Sequence, residues 1–119
     1  MYNPIIIKHF TEPTHVGVLT SPDDVIELGN PICDDRLIMH LKFDEARRVL
    51  DAKYQAYGCA TAVATGNLFC EYVLGKTPQE VLSMPEEEIP TMLGELAPSQ
   101  RHCIELLGQL FCHFKGYRS

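Results

Sequence analysis

The protein has 119 residues, of which 45% are hydrophobic and 22% are charged, a composition that excludes a disordered, collagen-like or low-complexity chain. This length suits one hydrophobic core, so we treat residues 1–119 as a single domain. The net charge of −6 repels phosphate backbones and disfavours nucleic acid as a partner. No apolar run approaches the roughly 18 residues that span a membrane. The start, Met1-Tyr2-Asn3-Pro4, does not resemble a signal peptide, so we expect a cytoplasmic protein with reduced thiols and no membrane partner.

The N-terminal region is predicted to begin with a short helix. Residues 4–10 carry three apolar side chains, Ile6, Ile7 and Phe10, which we expect to anchor this helix. A turn-rich stretch follows and runs to about Pro22, so the first strand is expected only after that point.

The next part of the chain alternates apolar and polar residues with the period of two that strands show. The predicted strands are Asp24–Leu28, Arg36–Phe43 and Leu50–Tyr57. In the third strand we expect one face to carry Leu50, Ala52, Tyr54 and Ala56. Short connections between these runs favour an antiparallel meander of three strands.

The second half of the chain is predicted to be helical. The predicted helices are Ala60–Leu74, residues 77–82, Glu86–Leu93 and a long C-terminal helix from Pro98 or Ser99 to about Lys115. The segment Thr77-Pro78-Gln79-Glu80 combines an N-cap, a proline and a capping-box glutamate. The buried stripe of the last helix is predicted to contain Cys103, Leu106, Leu107, Leu110 and Phe114. Strands followed by helices predict an α+β domain, with several helices packed on one face of a small sheet.

The five cysteines fall into two groups. Cys70 and Cys112 lie in the middle of predicted helices among apolar neighbours, where free cysteine packs as a small hydrophobic residue. Cys33, Cys59 and Cys103 lie instead at the junctions of predicted elements. At the start of a helix, unpaired N–H groups favour the thiolate, which is the form that binds metal. The second group is therefore predicted to have a chemical role.

Two further potential ligands adjoin these cysteines. Asp35 follows Cys33 by two residues, and His102 directly precedes Cys103. Three thiolates with a carboxylate or an imidazole suit zinc or an iron–sulfur cluster by ligand softness. Each of the two residues also has a plainer interpretation, because Asp is common in turns and His102 could face solvent in a first helical turn. A thiol hydrolase pairing one cysteine with His102 is disfavoured, since no single cysteine stands out.

These residues lie in segments that resemble the IscU/NifU-type iron–sulfur cluster scaffolds, the family of the NifU N-terminal domain. The similarity runs from about Tyr2 to Phe114 and rests on several motifs in the family's order. Near the N-terminus, His9-Phe10-Thr11-Glu12-Pro13-Thr14-His15-Val16-Gly17 resembles the family's H-F/Y-x-x-P-x-N-V-G. Around the first two site cysteines, Asn30-Pro31-Ile32-Cys33-Asp34-Asp35 resembles G-N-P-x-C-G-D, and Tyr57-Gly58-Cys59-Ala60-Thr61-Ala62-Val63-Ala64 resembles Y-G-C-G-S-A-I-A. Further along, Gly75-Lys76-Thr77 with Glu80 fits G-K-S/T-x-x-E, and His102-Cys103 fits the terminal H-C. Several motifs in one order are far more specific than any single motif.

The resemblance implies a scaffold protein rather than an enzyme. Such a scaffold assembles a labile 2Fe–2S cluster from Fe²⁺ and persulfide sulfur and passes it to acceptor apoproteins. The implied ligands of the cluster and its metal are Cys33, Asp35, Cys59, His102 and Cys103, with Cys103 as the persulfide acceptor. Asp35 is implied to make the cluster labile, because an oxygen ligand matches a soft, sulfide-rich cluster poorly. Zn²⁺ is a further candidate for the metal that the isolated protein carries.

The resemblance also implies a set of protein partners. They are a cysteine desulfurase that supplies sulfur, the acceptor apoproteins, a ferredoxin and an iron donor. The family's L-P-P-V-K segment, which a DnaK-type chaperone grips, is replaced by Leu96-Ala97-Pro98-Ser99-Gln100, and this predicts weak or altered chaperone recognition. The SufU branch of the family has an insertion before its last cysteine and a lysine at the position of His102. This chain has the histidine and no room for the insertion, so it resembles the IscU/NifU branch more closely.

Two other functions stay open at this point. The first is a zinc-binding persulfide acceptor with the same fold and the same thiols, which would relay sulfur without assembling a cluster. The second is an interaction module whose cysteines carry no metal.

Overall fold

A computed structural model describes residues 2–30 and 35–117, and it shows an α+β fold. The strands are β1 (Asp24–Asn30), β2 (Asp35–Phe43) and β3 (Val49–Tyr57). The α-helices are α1 (Pro4–Thr11), α2 (Ala60–Val73), α3 (Pro78–Val81) and α4 (His102–His113). Short 3-10 helices cover Glu86–Leu93, Pro98–Gln100 and Phe114–Gly116. None of the helices within the described ranges is long and apolar enough to cross a membrane.

The sheet is the antiparallel meander that the sequence predicts. Its strand order is β1-β2-β3, so β2 pairs with both neighbours. The inward face of β2 carries Leu37, Met39 and Leu41, which are all fully buried. Helix α2 lies on this face, where the Cys70 thiol is 3.4 Å from the Met39 sulfur. The predicted fold class, with helices on one face of a three-stranded sheet, is confirmed.

The predicted inward face of β3 is wrong at its first residue. Ala52 and Tyr54 are fully buried as expected, but Leu50 is 59% exposed and Val49 is buried instead. Lys42 pairs with Asp51 and Phe43 with Val49, so Leu50 is an extra residue on β3 at the point where the register shifts. Because side chains alternate across a strand, such a one-residue shift moves the neighbouring side chain to the opposite face.

Helix α1 is present, but it is anchored by a different set of side chains than predicted. Ile6 is fully buried, whereas Ile7 and Phe10 are about half exposed. His9 takes the second inward position, and its Nδ1 lies 2.8 Å from the Asn67 side-chain nitrogen on α2. Residues three apart lie on the same face of a helix, so Ile6 and His9 point inward together.

The predicted C-terminal helix is divided into a 3-10 turn at Pro98–Gln100 and the regular helix α4. Its predicted stripe is confirmed, since Cys103 and the four other members are all buried. Cys70 is also buried, as predicted, but the prediction for Cys112 is wrong because this residue is exposed. Cys112 follows the buried Phe111, and neighbours on a helix point about 100° apart.

Two helical glycines give a matched test of the packing. A Cβ atom at Gly66 on α2 would lie 2.3 Å from the Tyr54 ring, whereas one at Gly108 on α4 would meet nothing within 4 Å. We expect Gly66→Ala to lower the free energy of unfolding by about 2–3 kcal/mol through overpacking. Gly108→Ala should raise it by about 0.5–1 kcal/mol, because alanine is the better helix former. Urea denaturation of both variants measures this, and equal effects would contradict the close approach of α2 to β3.

A polar cluster ties the C-terminal turn to β1. The Asp24 carboxylate accepts a hydrogen bond from the Tyr117 hydroxyl and lies 2.9 Å from His113 Nε2. Partial burial opposes the effect, but these two hydrogen bonds lower the pKa of Asp24 below its usual value. A carboxyl group whose pKa is lower in the folded state stabilises the fold above its unfolded pKa, and this contribution is lost as the pH falls through the folded pKa.

We therefore expect Asp24→Asn to unfold a few degrees below the parent protein at neutral pH. The difference in Tm should shrink as the pH falls through the folded-state pKa of Asp24, which lies below the ordinary carboxyl value. Thermal unfolding at neutral pH and at successively more acidic pH values tests this, and the same difference throughout would show that the carboxylate charge contributes nothing.

Candidate metal centre

Four of the five predicted ligands converge where β2, α2 and α4 begin. Asp35 is the first residue of β2, Cys59 is the N-cap of α2, and His102 and Cys103 open α4. One ligand atom from each residue lies within 4.8 Å of the others. Cys33, the fifth predicted ligand, lies outside the described residues, so its role stays a prediction.

Strand pairing brings the first two ligands together. Arg36 pairs with Tyr57 across β2 and β3, so Asp35 lies beside the turn that leads into Cys59. Gly58 occupies this turn with a φ of +124°, and a Cβ atom there would lie 1.9 Å from Asp35 Oδ1. The sequence places Gly58 in a turn but does not indicate that its missing side chain makes room for the carboxylate.

The Asp35 carboxylate is held from two sides. Its Oδ1 accepts a hydrogen bond of 3.0 Å from the Cys59 backbone N–H, and its Oδ2 contacts His102 Nε2. The Cys59 sulfur lies 3.4 Å from Asp35 Oδ2 and 3.9 Å from His102 Nε2. The side chains of Asp35 and His102 are only 3% and 14% exposed. The carboxylate and imidazole therefore lie together at the centre, so Asp35 is more than a turn residue and His102 does not face solvent, as the plainer interpretations would have it.

Cys103 differs from the prediction made for a helix start. Burial raises the pKa of its thiol, and the nearby Cys59 and Asp35 raise it further. The expectation of a thiolate at this position is therefore wrong for the metal-free protein, because burial and negative neighbours outweigh the helix N-terminus. A cation bound at the centre has the opposite effect on the pKa of Cys103, since a thiol that coordinates a metal loses its proton.

The chemistry of the donor set fits a thiophilic metal. In a tetrahedral zinc site, ligand bonds of about 2.0–2.3 Å place the ligand atoms roughly 3.3–3.8 Å apart. The four described donor atoms lie within 4.8 Å of one another, so small side-chain movements would let them surround one ion. Two thiols with an imidazole and a carboxylate also offer the soft and mixed ligands that iron–sulfur clusters accept.

The segment predicted to differ in chaperone recognition lies directly before α4. Leu96 is partly buried, whereas Ala97, Pro98 and Ser99 are exposed. The Ala97 backbone N–H donates to the Gln100 side chain at 3.2 Å, which shapes this turn. The segment is accessible to a partner, and its recognition by a chaperone stays a prediction.

Fold and site together define a small α+β protein with a buried cluster of sulfur, nitrogen and oxygen side-chain donors of the kind that bind metals. The family model of the NifU-like N terminal domain matches residues 1–113, and the chain belongs to this family. The resemblance that the motifs predict is thereby confirmed.

Known relatives agree with this assignment. The chain is 35% identical over 106 residues to the iron-sulfur cluster assembly scaffold protein IscU 1 of Archaeoglobus fulgidus, a match that covers 89% of this chain and 69% of that protein. It is 34% identical over 118 residues to the scaffold protein IscU of Aquifex aeolicus, covering 98% of this chain and 75% of the relative. The crystal structure of the N-terminal part of a NifU-like protein from Brucella abortus superimposes with a TM-score of 0.64 over 93% of this chain and 78% of that one. At 18% identity, this last similarity shows the fold alone.

Proposed function

We propose that the chain is a scaffold on which an iron–sulfur cluster is assembled and from which the cluster is transferred. The observation that carries this proposal is the convergence of Asp35, Cys59, His102 and Cys103 at one buried centre. Support comes from the relatives in Archaeoglobus and Aquifex, which are named iron-sulfur cluster assembly scaffold proteins.

The cluster, which we propose to be of the 2Fe–2S type, is the cargo of the protein. Thiolates of Cys59 and Cys103, with Cys33 as the third, would bind its iron atoms through soft sulfur ligands. Asp35 offers a hard oxygen ligand, which matches a sulfide-rich cluster poorly and would favour its release. A scaffold needs this weakness, because a cluster held by four thiolates would be difficult to pass to an acceptor.

We assign the sulfur-accepting role to Cys103. In this step the Cys103 thiolate would attack the outer sulfur of a persulfide on a cysteine desulfurase, and the desulfurase cysteine would leave as a thiolate. A new S–S bond forms on Cys103 as the old one breaks, so the transfer itself needs no oxidant. Because Cys103 is fully buried, the partner must open the centre before transfer. A ferredoxin, an iron donor and acceptor apoproteins complete the proposed partners, and the chain itself turns over no substrate.

Anaerobic incubation with ferrous iron, cysteine and a desulfurase tests the proposal. A scaffold should become brown, with visible charge-transfer absorption and about equal amounts of bound iron and acid-labile sulfide. Colourless protein that retains zinc and accumulates persulfide would instead indicate a zinc-binding sulfur acceptor, which the compact donor set also fits. Failure to bind either metal would contradict both functions and leave a role in protein interaction.

A further inference from the structure

One buried hydroxyl near the metal centre lacks a hydrogen-bond partner. Thr61 is fully buried, and among the buried side-chain polar atoms of the described residues its Oγ1 is without a partner. A buried hydroxyl in this condition destabilises the fold, because it has lost its hydrogen bonds to water. Such an atom calls for an explanation, and one explanation is a ligand that the resting protein does not contain.

The position of Thr61 on α2 points to the metal centre. The starts of α2 and α4 meet there through Cys59 and Cys103, and further along the two helices Tyr72 packs against Phe111 with ring centroids 5.5 Å apart. At 100° per residue, Thr61 lies on the same stripe of α2 as Tyr72, which faces α4. Thr61 therefore lies in the first turn of α2, on the side of Cys103.

Thr65 carries the other hydroxyl on this stripe of α2, and the two residues differ in whether the hydroxyl proton already has an acceptor. The Thr65 hydroxyl partly offsets the rise in the pKa of the Cys103 thiol. However, its single proton is donated to the Thr61 carbonyl oxygen at 2.7 Å. The Thr61 hydroxyl proton is uncommitted, so it is the donor available to a new acceptor.

The end of α2 at which Thr61 lies favours an anionic acceptor. The helix has 14 residues, and the side chain of its N-cap, Cys59, makes no capping hydrogen bond. The first N–H groups of a helix have no partner within the helix, and together with the helix dipole they attract negative charge. The Ala62 and Val63 N–H groups already donate to the Cys59 carbonyl oxygen, so the attraction on an anion beside Cys59 and Cys103 comes from the helix dipole and from the Thr61 hydroxyl on the same side of α2.

We propose that Thr61 donates a hydrogen bond to anionic sulfur held at the centre. This inference rests on the proposed function, which supplies two forms of such sulfur: the outer sulfur of a persulfide on Cys103 and the sulfide of the assembled cluster. In both forms the hydroxyl satisfies its own hydrogen bond only when cargo is present. Thr61 is thus a positioning residue that favours the loaded state over the empty one.

Two variants test the role of the hydroxyl, since valine keeps the shape of threonine and serine keeps its hydroxyl. In the metal-free protein, Thr61→Val should raise the Tm by a few degrees, because it removes an unsatisfied polar group. The same variant should shorten the lifetime of the bound sulfur about tenfold, which is the lower range for a hydrogen bond to a charged group. If the cluster is affected, its reduction potential should also become more negative, because hydrogen bonds to sulfur set this potential. Thr61→Ser should keep a lifetime close to that of the parent.

Separate measurements identify which sulfur is bound. Persulfide decay in metal-free protein and cluster decay after reconstitution are followed in parallel, and an effect on either supports the inference. A raised Tm with unchanged decay of both would show that the hydroxyl stays without a partner in the loaded protein as well, and would overturn it. A lowered Tm would also overturn it, because the hydroxyl would then have a partner in the empty protein. If the parent protein forms neither persulfide nor cluster, the proposed function fails, whereas a loaded parent with an equally stable valine variant refutes only the role of Thr61.

Discussion

Replacing Asp35 with alanine is expected to lengthen the lifetime of the assembled cluster about tenfold or more. The carboxylate is the one hard ligand among the described donors, and its removal leaves a centre dominated by sulfur and nitrogen. The decay of visible absorption in the presence of a chelator measures the lifetime directly. Asp24→Ala is the matched control, because Asp24 also lies beside a histidine but pairs with Leu41, near the other end of β2 from Asp35.

Gly58 provides an independent route to the same result. Alanine at this position would place its Cβ atom on the Asp35 carboxylate and strain the backbone at positive φ, so the carboxylate must move. We expect Gly58→Ala to lengthen the cluster lifetime in the same direction as Asp35→Ala. The double variant should add little to the larger single effect, since the two changes act on one group.

Loss of assembly in Asp35→Ala would show that the carboxylate is an essential ligand. The proposed origin of cluster lability would then be wrong. A normal lifetime in Gly58→Ala, with Asp35→Ala prolonged, would show that the carboxylate can adapt to a side chain at position 58.

The second large effect is expected when the two cysteines of α4 are replaced one at a time. Cys103→Ser should lower the amount of cluster formed at least tenfold, because it removes the buried thiol at the centre. Cys112→Ser lies on the same helix but at an exposed position, and it should leave assembly unchanged. Bound iron and sulfide per chain, measured after identical reconstitution, give the comparison.

Stability must be separated from ligation in this experiment. Cys70→Ser is the appropriate control, because Cys70 and Cys103 are both fully buried thiols and only Cys103 lies at the centre. If Cys70→Ser loses the cluster as completely as Cys103→Ser, the effect comes from the disturbed core. Retention of a normal cluster by Cys103→Ser would remove this residue from the proposed ligand set.

Local patterns in the sequence account for much of the fold. The capping box at Thr77 and Glu80 is present as predicted, and alternation correctly places the buried face of β2. Errors arise where non-local contacts decide the outcome. Leu50 is exposed because it is the extra residue where β3 shifts its register against β2, and alternation along β3 alone does not reveal where such a bulge falls.

In the candidate site, too, local patterns predict some features and non-local contacts decide the others. Position at element junctions identifies Cys59 and Cys103, but their approach to Asp35 depends on strand pairing and helix packing across the whole chain. The protonated state of Cys103 was not predictable either, because its pKa depends on burial that the sequence does not quantify. Likewise, the sequence does not show that the buried Thr61 hydroxyl lacks a hydrogen-bond partner, because this depends on every atom packed around it.

We propose that the four described donors hold a cluster through unlike ligands at its two irons. Mössbauer spectroscopy of protein reconstituted with isotopically enriched iron tests it most directly. We predict two coupled ferric sites with different quadrupole splittings, one with only sulfur ligands and one that also binds Asp35 or His102. A spectrum of isolated iron ions, or of two equivalent all-sulfur sites, would contradict the proposed centre.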